Sequence, residues 1–160
     1  MHARVARMLA LAGVLVAVAV AAVAAAAARE GVALPAGYRG WKHVRSIAVG
    51  DPDHAMYGFH DGYANQAASR GLLARPVKFD DGATFVVSIY DIAKEGGITT
   101  AGAKRRTVVQ VKDRRAAATG GWRFAAFDPS GKPVAIDETS CFGCHAAATQ
   151  TDFVLTSFRE

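Results

Sequence analysis

Cysteine is nearly absent from this chain. Two in 160 residues are too few for the disulfide framework that holds many small exported domains together. Methionine is almost as scarce, with three residues and none after Met56. Charge of one sign is also in short supply: 19 Lys and Arg stand against 14 Asp and Glu, a formal +5 at pH 7. Setting aside Arg4 and Arg7 reduces the excess to +3, too little to point to nucleic acid as a partner. No internal repeat is present. Sixteen glycines and five prolines interrupt the sequence too often for a bundle of four long helices. With 9% aromatic and 21% charged residues, the body is not disordered.

Only one long uncharged run occurs, from Met8 to Ala28, and thirteen of the first 28 residues are alanine. Arg4 and Arg7 precede it with no acid. A basic start, an apolar middle and small residues at the end are the layout of a secretory signal, with several A-x-A choices between Ala22 and Ala28. The run is also long enough for an uncleaved anchor; the alanine-rich end favours cleavage. Residues 1–28 are therefore predicted to be a signal peptide and residues 29–160 one exported, periplasmic domain. No membrane contact is expected once the leader is removed.

In the body, Val44, Ile47 and Val49 suggest a short strand ended by Asp51-Pro52. Residues 61–70 are rich in helix formers, with Asp61 as a candidate N-cap and Gly71 as a candidate C-terminal stop. Asp80-Asp81-Gly82 reads as a turn. Ala83–Ile92 is dense in β-branched and aromatic residues and forms the strongest predicted strand. Its alternation puts Phe85, Val87 and Ile89 on one face, with Thr84, Val86, Ser88 and Tyr90 on the other. Gly96-Gly97 is a turn, Arg106–Lys112 and Trp122–Phe127 are further strands, and Asp128-Pro129-Ser130-Gly131 is a strong turn signal. Strands in succession with short links predict a mainly β (α+β) fold: an antiparallel meander with a few helices.

Both cysteines fall within Cys141-Phe142-Gly143-Cys144-His145. The C-x-x-C-H spacing is the attachment signal for c-type haem. Each thiol adds across one haem vinyl group, and the adjoining imidazole binds iron from the proximal side. A redox C-x-x-C pair would follow a strand early in a thioredoxin-like unit, and a four-ligand zinc site would need more partners. One covalent haem c, with its iron on His145, is the cofactor expected. An electron carrier usually has a methionine downstream as second ligand, and none follows His145. Met56, His43, His54 and His60 are the remaining candidates for that position; otherwise the iron is five-coordinate and open to small molecules.

Several further pieces occur in a particular order: Gly37-Tyr38-Arg39-Gly40-Trp41 with His43-Val44, then Asp81-Gly82 and Ile89-Tyr90-Asp91, then Gly120-Gly121-Trp122-Arg123-Phe124 through Phe127-Asp128, and Thr151-Asp152-Phe153-Val154 after the cysteine motif. With that motif they resemble the cytochrome P-460 family, which includes the cytochromes c'-beta. The resemblance spans most of residues 35–156. It implies a mainly antiparallel β fold with one haem c packed against the sheet, usually in a homodimer. In the P-460 branch a lysine is cross-linked to the haem and the protein oxidises hydroxylamine. In the c'-beta branch the bond is missing, and a cap of phenylalanines over a five-coordinate iron admits nitric oxide or other diatomic gases.

On that reading Lys78 and Lys94 are the candidate cross-linking residues, although neither lies inside the strand 83–92, and Phe59 and Phe85 are the candidate distal cap. Asp137 and Glu138 are candidate proton acceptors, or else caps of the helix that carries the motif. Arg45, Arg75 and Arg123 are candidates for pairing with haem propionates. Trp41 and Trp122 are expected in the core or against the haem edge. Lys104-Arg105-Arg106 and Arg114-Arg115 mark either solvated strand ends or a docking surface for an acidic redox partner. The expected activity is capture of nitric oxide or a related small N-oxide. The alternatives are hydroxylamine or nitric oxide oxidation and periplasmic electron transfer.

Overall fold

A computed structural model describes residues 31–157; the leader assigned to residues 1–28 lies outside them. The chain divides into Met1–Gly31 and a body, Val32–Glu160, and the body is a single six-stranded sheet with strands in sequence order. The strands are β1 (Lys42–Val49), β2 (Gly58–Ala64), β3 (Thr84–Glu95), β4 (Ile98–Lys112), β5 (Trp122–Phe127) and β6 (Pro133–Val134). Every neighbouring pair is antiparallel. The fold is mainly β, as the strand pattern predicts. Two short helices, α1 (Gln66–Leu73) and α2 (Glu138–His145), complete it. Among the described residues no helix is long and apolar enough to cross a membrane.

The sequence reading assigns 61–70 to a helix, and the structure corrects this. Residues up to Ala64 belong to β2. Asp61 sits in mid-strand opposite Ser46 and Ser88 and caps nothing. The true N-cap is Asn65, whose side-chain oxygen accepts from the Ala68 N–H at 2.8 Å and the Thr84 N–H at 3.1 Å. One amide therefore starts α1 and fixes it to the head of β3. Gly71 lies within α1 rather than beyond it. A Cβ there would fall 2.2 Å from the Phe79 ring, so this glycine allows helix and loop to close on each other.

The register gives the sheet two distinct faces. Ala64, Phe85, Gln110 and Phe124 lie in one row across β2–β5, and Gly62, Val87, Val108 and Ala126 in the next. This inner face carries a core of Val44, Ala64, Phe85, Trp122 and Phe124, closed by Ala68 and Leu72 of α1, Phe79 and Val154. On the outer face Val86, Val109 and Phe127 pack with Tyr38, and Val32, Leu34 and Trp41 lie against them. Beyond the core, β3 and β4 run on as a two-stranded arm whose residues 98–103 are all exposed.

Candidate functional site

Helix α2 is held at its start by two acids. Asp137 is the N-cap: its carboxylate accepts from the Thr139 N–H at 3.0 Å, the Thr139 hydroxyl at 2.7 Å and the Ser140 hydroxyl at 2.7 Å. Those bonds, the Thr139 hydroxyl foremost, lower its pKa to about 2. Glu138 accepts a forked pair of bonds from Arg123 at 2.9 and 3.0 Å and the Phe124 N–H at 2.8 Å. Burial would raise this carboxyl, but the Arg123 and Phe124 donors outweigh it and hold it below its ordinary value. The first half of β5 has no strand beyond it, so Glu138 satisfies a backbone donor that an edge would leave unpaired.

The rest of the helix presents the motif. Cys141 and Cys144 lie three apart on one side, and neither is in a disulfide. Cys141 packs against the inner core, while Cys144 is exposed. Burial, and after it the charge of Asp137, raise the Cys141 thiol above its usual value; redox C-x-x-C pairs are tuned the other way. The His145 ring lies 5.3 Å from that of Phe124, and its Nδ1 lies 2.9 Å from the Phe153 carbonyl oxygen. A carbonyl only accepts, so Nδ1 carries the hydrogen and Nε2 keeps its lone pair. Burial lowers the His145 pKa, partly opposed by the Phe153 bond, which favours the neutral, ligating ring.

The inner face changes character away from α2. The row Gly62–Val87–Val108–Ala126 holds nothing larger than valine, and Val87 and Val108 are only half-buried. At strand spacing of about 4.8 Å the row extends for about 14 Å. Beyond it lies the row His60–Ile89–Arg106. His60 is buried, its Nε2 lies 2.7 Å from the Met56 carbonyl oxygen, and burial lowers its pKa. Arg106 donates from Nη2 to the Ala55 carbonyl and, at 3.6 Å, to the Met56 sulfur.

The remaining candidates from the sequence are dispersed. Phe59 and Phe85 do not converge: Phe59 pairs with Tyr90 and Phe85 with Ala64, which puts the two rings on opposite faces. Pairing them as a cap rests on Phe59 preceding a helix at 61–70, whereas Phe59 and the residues up to Ala64 form β2. Phe85 is committed to the core, its ring centroid 5.4 Å from Phe79 and 6.2 Å from Trp122. Lys78 and Lys94 are both exposed, and Lys94 pairs with Thr99 out on the β3–β4 arm. Asp137 and Glu138 are occupied as helix anchors. Arg45 donates to the Leu155 carbonyl, Arg75 to the Leu72 and Ala74 carbonyls and Arg123 to Glu138. His43 bonds Ser46, and His54 accepts from the Met56 N–H.

Sequence reasoning reads Arg106 only as part of a strand end or docking surface, whereas it lies on the inner face in the row of Ile89. It also overlooks Lys112, Asp152 and the Phe153 carbonyl. For the last two the only signal is the Thr151–Val154 piece of the resemblance.

An antiparallel sheet with a short helix, α2, that supplies two unbridged thiols and a neutral imidazole beside a low apolar floor has the donor set of a c-type haem protein. The model of the family Cytochrome P460 matches residues 35–156, and the chain belongs to that family. Membership implies that it binds haem. No curated protein matches the sequence.

Proposed function

We propose that this chain is an exported, periplasmic cytochrome with one haem c, attached through Cys141 and Cys144 and ligated by His145, whose open sixth position takes nitric oxide or a related small N-oxide. The observation that carries this reading is the Nδ1–Phe153 bond at 2.9 Å, which leaves Nε2 of His145 as a ready ligand one residue from the second thiol. Haem, when bound, would supply an iron able to take a small ligand. The chain's own part is to anchor, orient and dehydrate. The two thiols fix the macrocycle and α2 holds the ring of His145. Val87 and Val108, half-buried on the low row, offer an apolar surface with no hydrogen-bond donor of their own, which suits a small neutral ligand over a charged one.

Met56 supports the open position. It is the one methionine among the described residues, and its sulfur and carbonyl are engaged by Arg106 and His60. The exposure of Lys78 and Lys94 lends no support to a lysine-modified, hydroxylamine-oxidising haem. A homodimer is part of the proposal through family membership alone, and a redox partner through the basic residues 104–106 and 114–115 alone.

The test is expression in a host that matures c-type cytochromes. The wild-type protein is expected to retain haem through a denaturing gel, and the Cys141→Ser/Cys144→Ser double variant to lose all of it. The ferrous form should be five-coordinate and bind nitric oxide with a shift of its Soret band. A colourless product, or a ferrous form that is six-coordinate and low-spin without added ligand, sinks the proposal.

A further inference from the structure

Residues with a Cβ avoid positive φ, and a bulky side chain there is an outlier. Asp152 and Phe153 nevertheless adopt φ of 50° and 63° in succession. Such strain persists where surrounding structure over-determines it, often at a functional site. Four contacts hold this turn. Lys112 Nζ pairs with Asp152 Oδ1 at 2.6 Å. The Phe79 N–H donates to Asp152 Oδ2 at 3.1 Å. The Trp122 indole N–H donates to the Asp152 carbonyl at 2.8 Å. Phe153 stacks edge-on against Phe142 at 5.2 Å, over Gly120, where a Cβ would lie 2.8 Å from both rings.

The ion pair is largely out of water, its side chains 8% and 17% exposed, and Lys112 Nζ also sits 4.9 Å over the Trp122 ring. A buried pair of this kind adds little net stability over apolar residues of the same size, so its value lies in the geometry it enforces. That geometry delivers one thing to the site. The strained turn aims the Phe153 carbonyl at His145 Nδ1, 2.9 Å away, with Gln110 Nε2 approaching the same oxygen at 3.4 Å. An acceptor on Nδ1 fixes the ring's rotation and makes Nε2 a stronger donor to a metal.

We propose that the Lys112–Asp152 ion pair is a positioning device that sets how strongly His145 donates to the haem iron, acting through the Phe153 carbonyl. The inference rests on the haem reading above. It is tested on the haem-loaded protein by the iron–histidine stretching band of the ferrous form in resonance Raman and by the midpoint potential. Asp152→Asn keeps a residue that tolerates positive φ, and Lys112→Met removes the charge from the other side. Each is expected to lower the stretching frequency and raise the potential, while Lys112→Arg restores both towards wild type. Tyr38→Phe, on the outer face, destabilises without moving either. Wild-type values in both Asp152→Asn and Lys112→Met, with haem still held, overturn the inference and leave the haem reading standing. A wild-type protein that holds no haem overturns both.

Discussion

The two faces of this sheet are built from the same strands but finished differently. On the outer face Tyr38, Val86, Val109 and Phe127 pack together, with the Tyr38 hydroxyl 2.8 Å from the Ser88 hydroxyl and the buried Thr107 hydroxyl, opposite Ser88, without a hydrogen-bond partner. On the inner face the bulk stops part way. Phe79, Phe85, Trp122 and Phe124 pack beneath the helices, and the next row falls to Gly62, Val87, Val108 and Ala126. A face that serves only stability is filled by its own side chains. On the proposed reading, the inner face is left low where the haem would lie.

The comparison can be broken at four places. The largest effect is expected from Trp122→Ala, which empties the packed half of the inner face: Trp122 is fully buried, and truncation should cost about 3–5 kcal/mol in denaturant unfolding. Val108→Phe comes next. It adds bulk to the low row, and should cost the haem-loaded protein about 1–3 kcal/mol and reduce the Soret-to-protein absorbance ratio. An unchanged ratio would show that nothing rests there. Tyr38→Phe should cost about 1 kcal/mol by stranding the Ser88 hydroxyl, with no change in the optical spectrum. The smallest effect is a pH dependence. The Glu138 carboxyl is held below its ordinary pKa by Arg123 and Phe124 against the opposing effect of burial. Its contribution is therefore complete above the ordinary glutamate range and lost as pH falls through the lowered value. Glu138→Gln should accordingly narrow the difference in urea midpoint between pH 7 and pH 3.

Much of the fold is legible in the sequence. β3 and β5 announce themselves because both of their faces are buried among β-branched and aromatic residues, and the Gly96-Gly97 and Asp80–Gly82 turns follow from glycine at positive φ. β2 does not announce itself. Its inner positions are Gly58, His60, Gly62 and Ala64, so the alternation that marks a strand is missing where the floor must be low. That one omission also explains Phe59, whose face depends on the strand it belongs to. The start of α1 depends on Asn65 reaching Thr84, nineteen residues on, which no local pattern carries.

The site divides in the same way. Cys141, Cys144 and His145 are contiguous and readable, as are their helix caps. The groups that orient His145 come from distant segments: Lys112 meets Asp152 forty residues away, and the decisive acceptor is a backbone carbonyl, which has no residue type to give it away.

The order of the strands bears on timing. Each strand pairs with its sequence neighbour, so the sheet can close through steps of short sequence separation, and Cys141 follows all six strands in the chain. On the proposed reading, the two sulfurs belong to a segment that the sheet does not need for its own strand pairing, so haem attachment would finish the molecule rather than seed it.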